Sequence, residues 1–175
     1  MKKSLTALMI LLLGAAMTGC GGGEEKPVVG SGENKWLAFD EGLALAKSEK
    51  KPIVIDFYTD WCRWCKVMDK QTFSKPEISS FLGEHFVSIR INAESRSERY
   101  EYKGKKYTPA ELTRKFRIRA FPSIVYLDEE GTLIKVVPGY QPPERFLPWL
   151  TYLQKGCYKK RITFEEYQKR KGDCS

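Results

Sequence analysis

Two cysteines placed two residues apart offer the most direct chemistry in the chain: Cys62 and Cys65 in "DFYTDWCRWCKVMDK", walled by Trp61 and Trp64 and followed by Lys66. Thiols at this spacing can form a redox couple, supply half of a metal site, or fill a core as small apolar residues. Three further cysteines bear on the choice. Cys20 ends the stretch "MKKSLTALMILLLGAAMTGC", and Cys157 and Cys174 lie near the C-terminus. With Cys20 set apart, four cysteines remain in two sequence-local pairs, a usage that fits a compartment tolerant of disulfides.

The elements around the first pair decide what its thiols can do. "PIVIDFY", opened by Pro52, is a short β-branched run of the kind found in strands buried on both faces. "CRWCKVMDKQTF" has neither Gly nor Pro and favours a helix. A strand over 53–58 therefore leads through a short turn into a helix opening at Cys62. A thiol in the first turn of a helix meets unpaired backbone N–H groups and the positive end of the helix dipole, both of which favour the thiolate. Cys62 is thus the expected nucleophile, Arg63 and Lys66 add positive charge in the same sense, and Cys65, one turn in, is placed to resolve a mixed disulfide.

Helical spacing of Trp36, Phe39, Leu43 and Ala46 predicts an amphipathic helix before this unit. After it, Ser74 and Glu77 bracket Pro76 as a capping box for a second helix, and "FVSIRIN", 86–92, reads as a strand. The polar, tyrosine-rich segment 93–107 reads as a hairpin or long loop, contributing either specificity or nothing beyond surface. Thr108, Pro109 and Glu111 start another helix. "SIVYLDEEGTLIKVVPGY" gives two strands around a tight turn, and "PPERFLPWLTYLQKG" a closing helix that Pro148 should kink. A last helix begins with the box from Thr163 to Glu166. This order is an α/β plan: a mixed central sheet flanked by helices, closed by an antiparallel hairpin.

Asp56 before the pair, Trp61, Cys62, Cys65, Lys66, then "FPS" around Pro122 and Gly139 after the last strand form an ordered set that resembles the thioredoxin superfamily over roughly residues 35–155. Within it, "DWCRWCKVMDKQTFSKPEI" is most similar to the exported thioredoxin-like branch that includes the periplasmic C-terminal domain of the transmembrane disulfide reductases and the SoxW-like proteins. The resemblance implies a thioredoxin fold with an insert at 93–107 and an extra C-terminal helix. It implies that Asp56 is the buried acid that exchanges a proton with Cys65; the alternative is a strand-end carboxylate bonded to a backbone N–H. Arg90, where thioredoxins often carry a lysine, would hold Asp56 ionised and so weaken that role. Pro122 matches the family's cis-proline, the alternative being a trans turn. Phe121 before it is bulkier than the usual residue and would narrow substrate access. Trp61, Arg63, Trp64, Phe121 and Pro122 are the expected substrate-binding residues, with Tyr140 completing an apolar rim.

Composition and charge bound the rest. The 175 residues suffice for one domain plus appendages. The first stretch combines Lys2 and Lys3 with an apolar run over 5–17, too short for a span of about 20 residues, and reads as a secretory signal over 1–19. "MTGC" resembles a bacterial lipobox, which would put lipid on Cys20; ordinary secretion with a spare Cys20 is the alternative. Residues 20–34, glycine-rich and polar, read as a tether. The domain proper is expected over 35–155 and a helical extension over 156–175. Net charge is +8, or +6 without Lys2 and Lys3, which suits anionic lipid or acidic partners. No nucleic-acid motif is present, and a nucleic-acid role is not expected.

Cys157 and Cys174 flank the last helix, where a disulfide would act as a staple; free thiols or an accessory redox pair are the alternatives. His85, the only histidine, is a surface or core residue on this reading, and no metal site is expected. Together these readings predict an envelope thiol-disulfide oxidoreductase, lipid-anchored on the extracytoplasmic side. It would act on protein thiols and disulfides without a cofactor, lean toward reductase, and draw on a membrane electron donor. The competing classes are a metallochaperone, which for copper usually needs a CxxxC pair with a nearby histidine, and a non-catalytic binding lipoprotein.

Overall fold

The structure is a computed structural model describing residues 34–175. The signal segment over 1–19, lipidation at Cys20 and nearly all of the expected tether lie outside the described residues. Asn34, the first described, donates its backbone N–H to Ser79 Oγ at 3.0 Å.

The apolar run Ile53–Tyr58 is strand β2 and, as its composition demands, it lies in the middle of a five-stranded sheet. Strand β1 (Trp36–Leu37) pairs parallel with β3 (Val87–Asn92), and β3 pairs parallel with β2. Strand β6 (Ser123–Leu127) lies antiparallel on the other side of β2, and β7 (Leu133–Pro138) closes the edge. Between β3 and β6 the chain makes a separate two-stranded hairpin, β4 (Tyr100–Tyr102) with β5 (Lys105–Tyr107).

Alternation along the strands supplies two cores. Ile53, Ile55 and Phe57 of β2 join Val87, Ile89 and Ile91 of β3 on one face. Helices α1 (Phe39–Glu49) and α4 (Pro109–Lys115) cover that face with Phe39, Ala46 and Leu112. Val54, Ile124 and Tyr126 point to the opposite face. There they meet α2 (Arg63–Met68), α3 (Pro76–His85), α5 (Pro143–Gln154) and α6 (Phe164–Lys169), through Met68, Ile78, Leu82, Phe146, Leu150 and Tyr167. Asp56, two residues after Val54, therefore shares the face that carries the cysteine helix.

Helix α1 approaches β3 so closely that a Cβ on Gly42 would stand 2.4 Å from Ile89 Cγ1. The capping boxes at Thr108–Glu111 and Thr163–Glu166 form as the sequence implies. At the C-terminus, Trp149 stacks on Phe164 at 3.8 Å and on Tyr126 at 5.8 Å, and the Cys157–Cys174 disulfide fastens the segment after α5 to the chain end.

Several expectations are corrected. Trp36 is not the first residue of an amphipathic helix; it lies in β1, paired opposite Ser88. Ser74 does not cap α3, because its hydroxyl donates back to Asp69 O and the residue before the Pro76 turn is Lys75. Glu77 then stands at the second helical position, one short of a capping box. The cysteine helix does not run uniformly to Phe73: from Asp69 to Phe73 it widens into a π-helix, with Ser74 N–H reaching back to Asp69 O at 3.0 Å. The segment 93–107 is not idle surface, since Tyr100 and Tyr102 are buried beside Phe39, with ring centroids 5.4 and 5.9 Å away.

Candidate functional site

Strand β2 ends at Tyr58, and the turn 59–62 carries the chain into α2. Cys62 N–H donates to Thr59 O at 3.1 Å, and Cys62 itself, in extended conformation, is the residue that caps the helix. Its Sγ accepts the backbone N–H of Cys65 at 3.1 Å, and the two sulfurs are joined in a disulfide across Cα atoms 5.3 Å apart. The same N–H aimed at Sγ would stabilise a thiolate there after reduction, as the first helical turn leaves its amides unpaired.

Cys62 and Cys65 are each only 3% exposed, whereas Trp61 and Trp64 are 68% and 58% exposed, unusual for residues of their size. Trp61 packs edge-on against Phe121, with centroids 6.3 Å apart, and Trp64 stacks on Tyr140 at 5.6 Å. Tyr140 is held in turn by its hydroxyl, which donates to Gln71 Oε1 at 3.1 Å. Phe121–Pro122 is a cis peptide, and Pro122 O accepts Gly139 N–H at 2.8 Å, tying the loops before β6 and after β7 together. Residues far apart in sequence thus form two aromatic pairs, built on Trp61 just before and Trp64 just after Cys62 in the chain.

The buried acid is where the sequence places it. Asp56, 1% exposed, stands in register opposite Arg90 on β3, with a carboxylate oxygen 3.1 Å from Arg90 Nη2. That nitrogen spends its aligned hydrogen bond on Asp69 Oδ1, at the start of the π-helix, so Asp56 has an ion pair but no well-directed hydrogen bond among the described residues. The guanidinium also sits over the rings of Tyr58 (4.7 Å) and Trp36 (5.3 Å). Burial pushes the Asp56 carboxyl up to about 7 even though Arg90 pulls it down, and the Asp69 charge adds to the upward push. The expectation that Arg90 would hold Asp56 ionised is therefore corrected: desolvation of a fully enclosed carboxylate outweighs a cation whose charge is shared with Asp69.

Asp69 and Trp36 belong to this constellation and were not singled out by sequence. Asp69 lies one helical turn after Cys65 and is legible in hindsight, whereas Trp36 reaches the site only through strand pairing. Arg63 is exposed beside Cys62, as its place in the motif implied. Cys157 and Cys174 are buried and joined to each other.

A Thioredoxin-like domain family model matches residues 39–154. Among characterised proteins, the chain is 29% identical over 124 residues to the thiol:disulfide interchange protein DsbD of Photorhabdus laumondii, covering 70% of this chain and 20% of that protein. It is 30% identical over 141 residues to the DsbD of Cronobacter sakazakii, covering 74% and 22%. The chain spans about a fifth of the length of these relatives. Two solved structures share the fold. A thioredoxin-fold protein from Helicobacter pylori has a TM-score of 0.62 at 22% identity, covering 75% of this chain and 92% of that one. The DsbH oxidoreductase has a TM-score of 0.57 at 21% identity, covering 79% and 95%.

Proposed function

The chain belongs to the thioredoxin-like family, and on that premise we propose that it is a thiol-disulfide oxidoreductase that exchanges disulfides with protein substrates through Cys62 and Cys65. The observation that carries the reading is the Cys62–Cys65 disulfide at the start of α2, with Cys62 Sγ accepting the Cys65 amide at 3.1 Å. In the reduced protein the Cys62 thiolate attacks one sulfur of a substrate disulfide and expels the other as a thiol. Cys65 then attacks Cys62 Sγ, releasing the second substrate thiol and restoring the internal disulfide, so two electrons pass to the substrate. Asp56, poised near neutrality, takes the proton that Cys65 gives up. Trp61, Arg63, Trp64, Phe121 and Pro122 receive the substrate chain.

The direction of flow is toward substrate reduction, fed by a membrane electron donor, and the protein works in the bacterial envelope, lipid-anchored through Cys20 after loss of residues 1–19. Similarity to the interchange proteins supports the first part, and the lipobox-like "MTGC" the second. The reduction potential of the Cys62–Cys65 pair, equilibrated in thiol buffers and read by alkylation and mass, tests the direction. A value near about −270 mV fits a reductase, and one near about −120 mV would make it an oxidant instead. Cys62→Ser should abolish exchange and Cys65→Ser should accumulate mixed disulfide; full activity in Cys62→Ser would sink the enzyme reading.

A further inference from the structure

The ground around the disulfide is apolar at its centre and cationic at its margins. Arg63, Lys66 and Lys70 follow one another at helical spacing along α2 and its π-helical continuation, beside the stripe that carries Trp64 and Gln71. Arg119 lies two residues before Phe121, in the loop that packs on Trp61. All four are exposed, and among the described residues none forms a salt bridge. Asp56 and Asp69, near in sequence, share Arg90 as their partner, and Asp60 keeps its charge while accepting a hydrogen bond from Asn92 Nδ2 at 3.0 Å, which leaves the four cations facing one unpaired carboxylate among these neighbours.

Resting on the oxidoreductase reading, we propose that this rim selects its protein substrates by charge: the preferred partner is an extended segment whose reactive cysteine is flanked by acidic residues. The aromatic pairs Trp61–Phe121 and Trp64–Tyr140 grip the apolar part of the segment beside the cysteine. Arg63, Lys66 and Lys70 along α2 and its continuation, and Arg119 in the loop before Phe121, receive its carboxylates. Cations left unpaired at a surface carry little desolvation penalty and act at a distance, so their effect is to raise the encounter rate of acidic partners, and salt screens it.

The test uses the reduced full chain and two short peptides, each a disulfide-linked homodimer with a central cysteine, identical except for Glu or Gln at the flanking positions. In each reaction Cys62 and Cys65 supply two electrons and the peptide disulfide becomes two thiols, with dithiothreitol run against the same peptides to divide out their intrinsic reactivity. At low salt the Glu peptide should be reduced about tenfold faster than the Gln peptide, and the advantage should shrink as salt is raised. In Lys70→Glu combined with Arg119→Glu the ratio should fall to about one or below. A ratio near one in the unaltered protein, or one that survives both charge reversals, overturns the inference while leaving the oxidoreductase reading intact. If neither peptide is reduced faster than by dithiothreitol, that reading fails. The surface is then judged by binding of a serine-for-cysteine Glu peptide, read from tryptophan fluorescence: binding weakened by salt and by the two reversals supports the charged rim, and no binding, or binding indifferent to both, overturns it.

Discussion

Replacing Asp56 with Asn should stabilise the protein at neutral pH, by an amount that depends on pH in a defined way. An aspartate in an unfolded chain titrates near its ordinary value of 3.8, whereas the buried carboxyl is pushed up to about 7. Between those two values the folded protein holds a proton at Asp56 that the unfolded chain has released, so raising the pH disfavours folding. Each unit is worth 1.36 kcal/mol, and the interval of about three units gives about 4 kcal/mol at full development. The penalty is absent below the unfolded pKa, grows as pH rises, and is complete once pH has passed the folded pKa. Asn keeps the shape and carries no charge, and Arg90 is not orphaned because Asp69 remains its partner. Urea unfolding of the oxidised wild type and Asp56→Asn, measured at a series of pH values, reports on Asp56 and its coupled partner Asp69, since titrations elsewhere cancel in the difference. The stability difference should shift in favour of Asn by about 1.4 kcal/mol per unit from about pH 4 to about pH 7 and then level off. A difference that is flat across this range, or that shifts in favour of Asp with rising pH, would refute the account of a desolvated carboxyl insufficiently compensated by Arg90. Arg90→Gln extends the test: without the cation the folded pKa rises further, and the levelling point should move to higher pH.

Three other outcomes follow from the packing. Replacing both Cys157 and Cys174 with Ser should lower unfolding free energy by about 3 kcal/mol, the loop-entropy figure for a closure of this size, read from urea midpoints with the Cys62–Cys65 pair kept oxidised. Gly42→Ala should destabilise by about 1 to 3 kcal/mol, because its methyl would enter the space of the fully buried Ile89 against which α1 rests; an unchanged melting temperature would show that α1 is free to move away. Tyr102→Ala should cost about 3 kcal/mol or more, since it removes a buried ring beside Phe39 and Phe116 and the hydroxyl that donates to Gly131 O at 2.8 Å; a neutral result would return the hairpin to the role of a dispensable surface loop.

What the sequence determined by itself is everything whose cause is local. The β-branched run 53–58, the start of the helix after Cys62 and the Thr108–Glu111 and Thr163–Glu166 boxes depend on residues within a turn or two of one another, and each forms. The Cys62–Cys65 contact was legible for the same reason: a helix start and a spacing of three residues are enough to bring Cys65 N–H and Cys62 Sγ together. Ser74 shows the limit even of local signals. Its box is complete in sequence, yet the π-helix ending at Phe73 takes the hydroxyl for Asp69 O. Tertiary structure alone decided what strands and loops bring from a distance. Trp36 is a strand residue because β3 offers it an edge, and it then lies under the Arg90 guanidinium. The tyrosines of 93–107, polar-looking in a charged segment, are buried because the hairpin folds back onto Phe39. Most of all, the state of Asp56 was beyond the sequence, because it is a balance between burial and a cation divided between two carboxylates. The Asp56–Arg90 register sets the attraction, the position of Asp69 on the π-helix diverts the aligned hydrogen bond, and complete enclosure lets desolvation win.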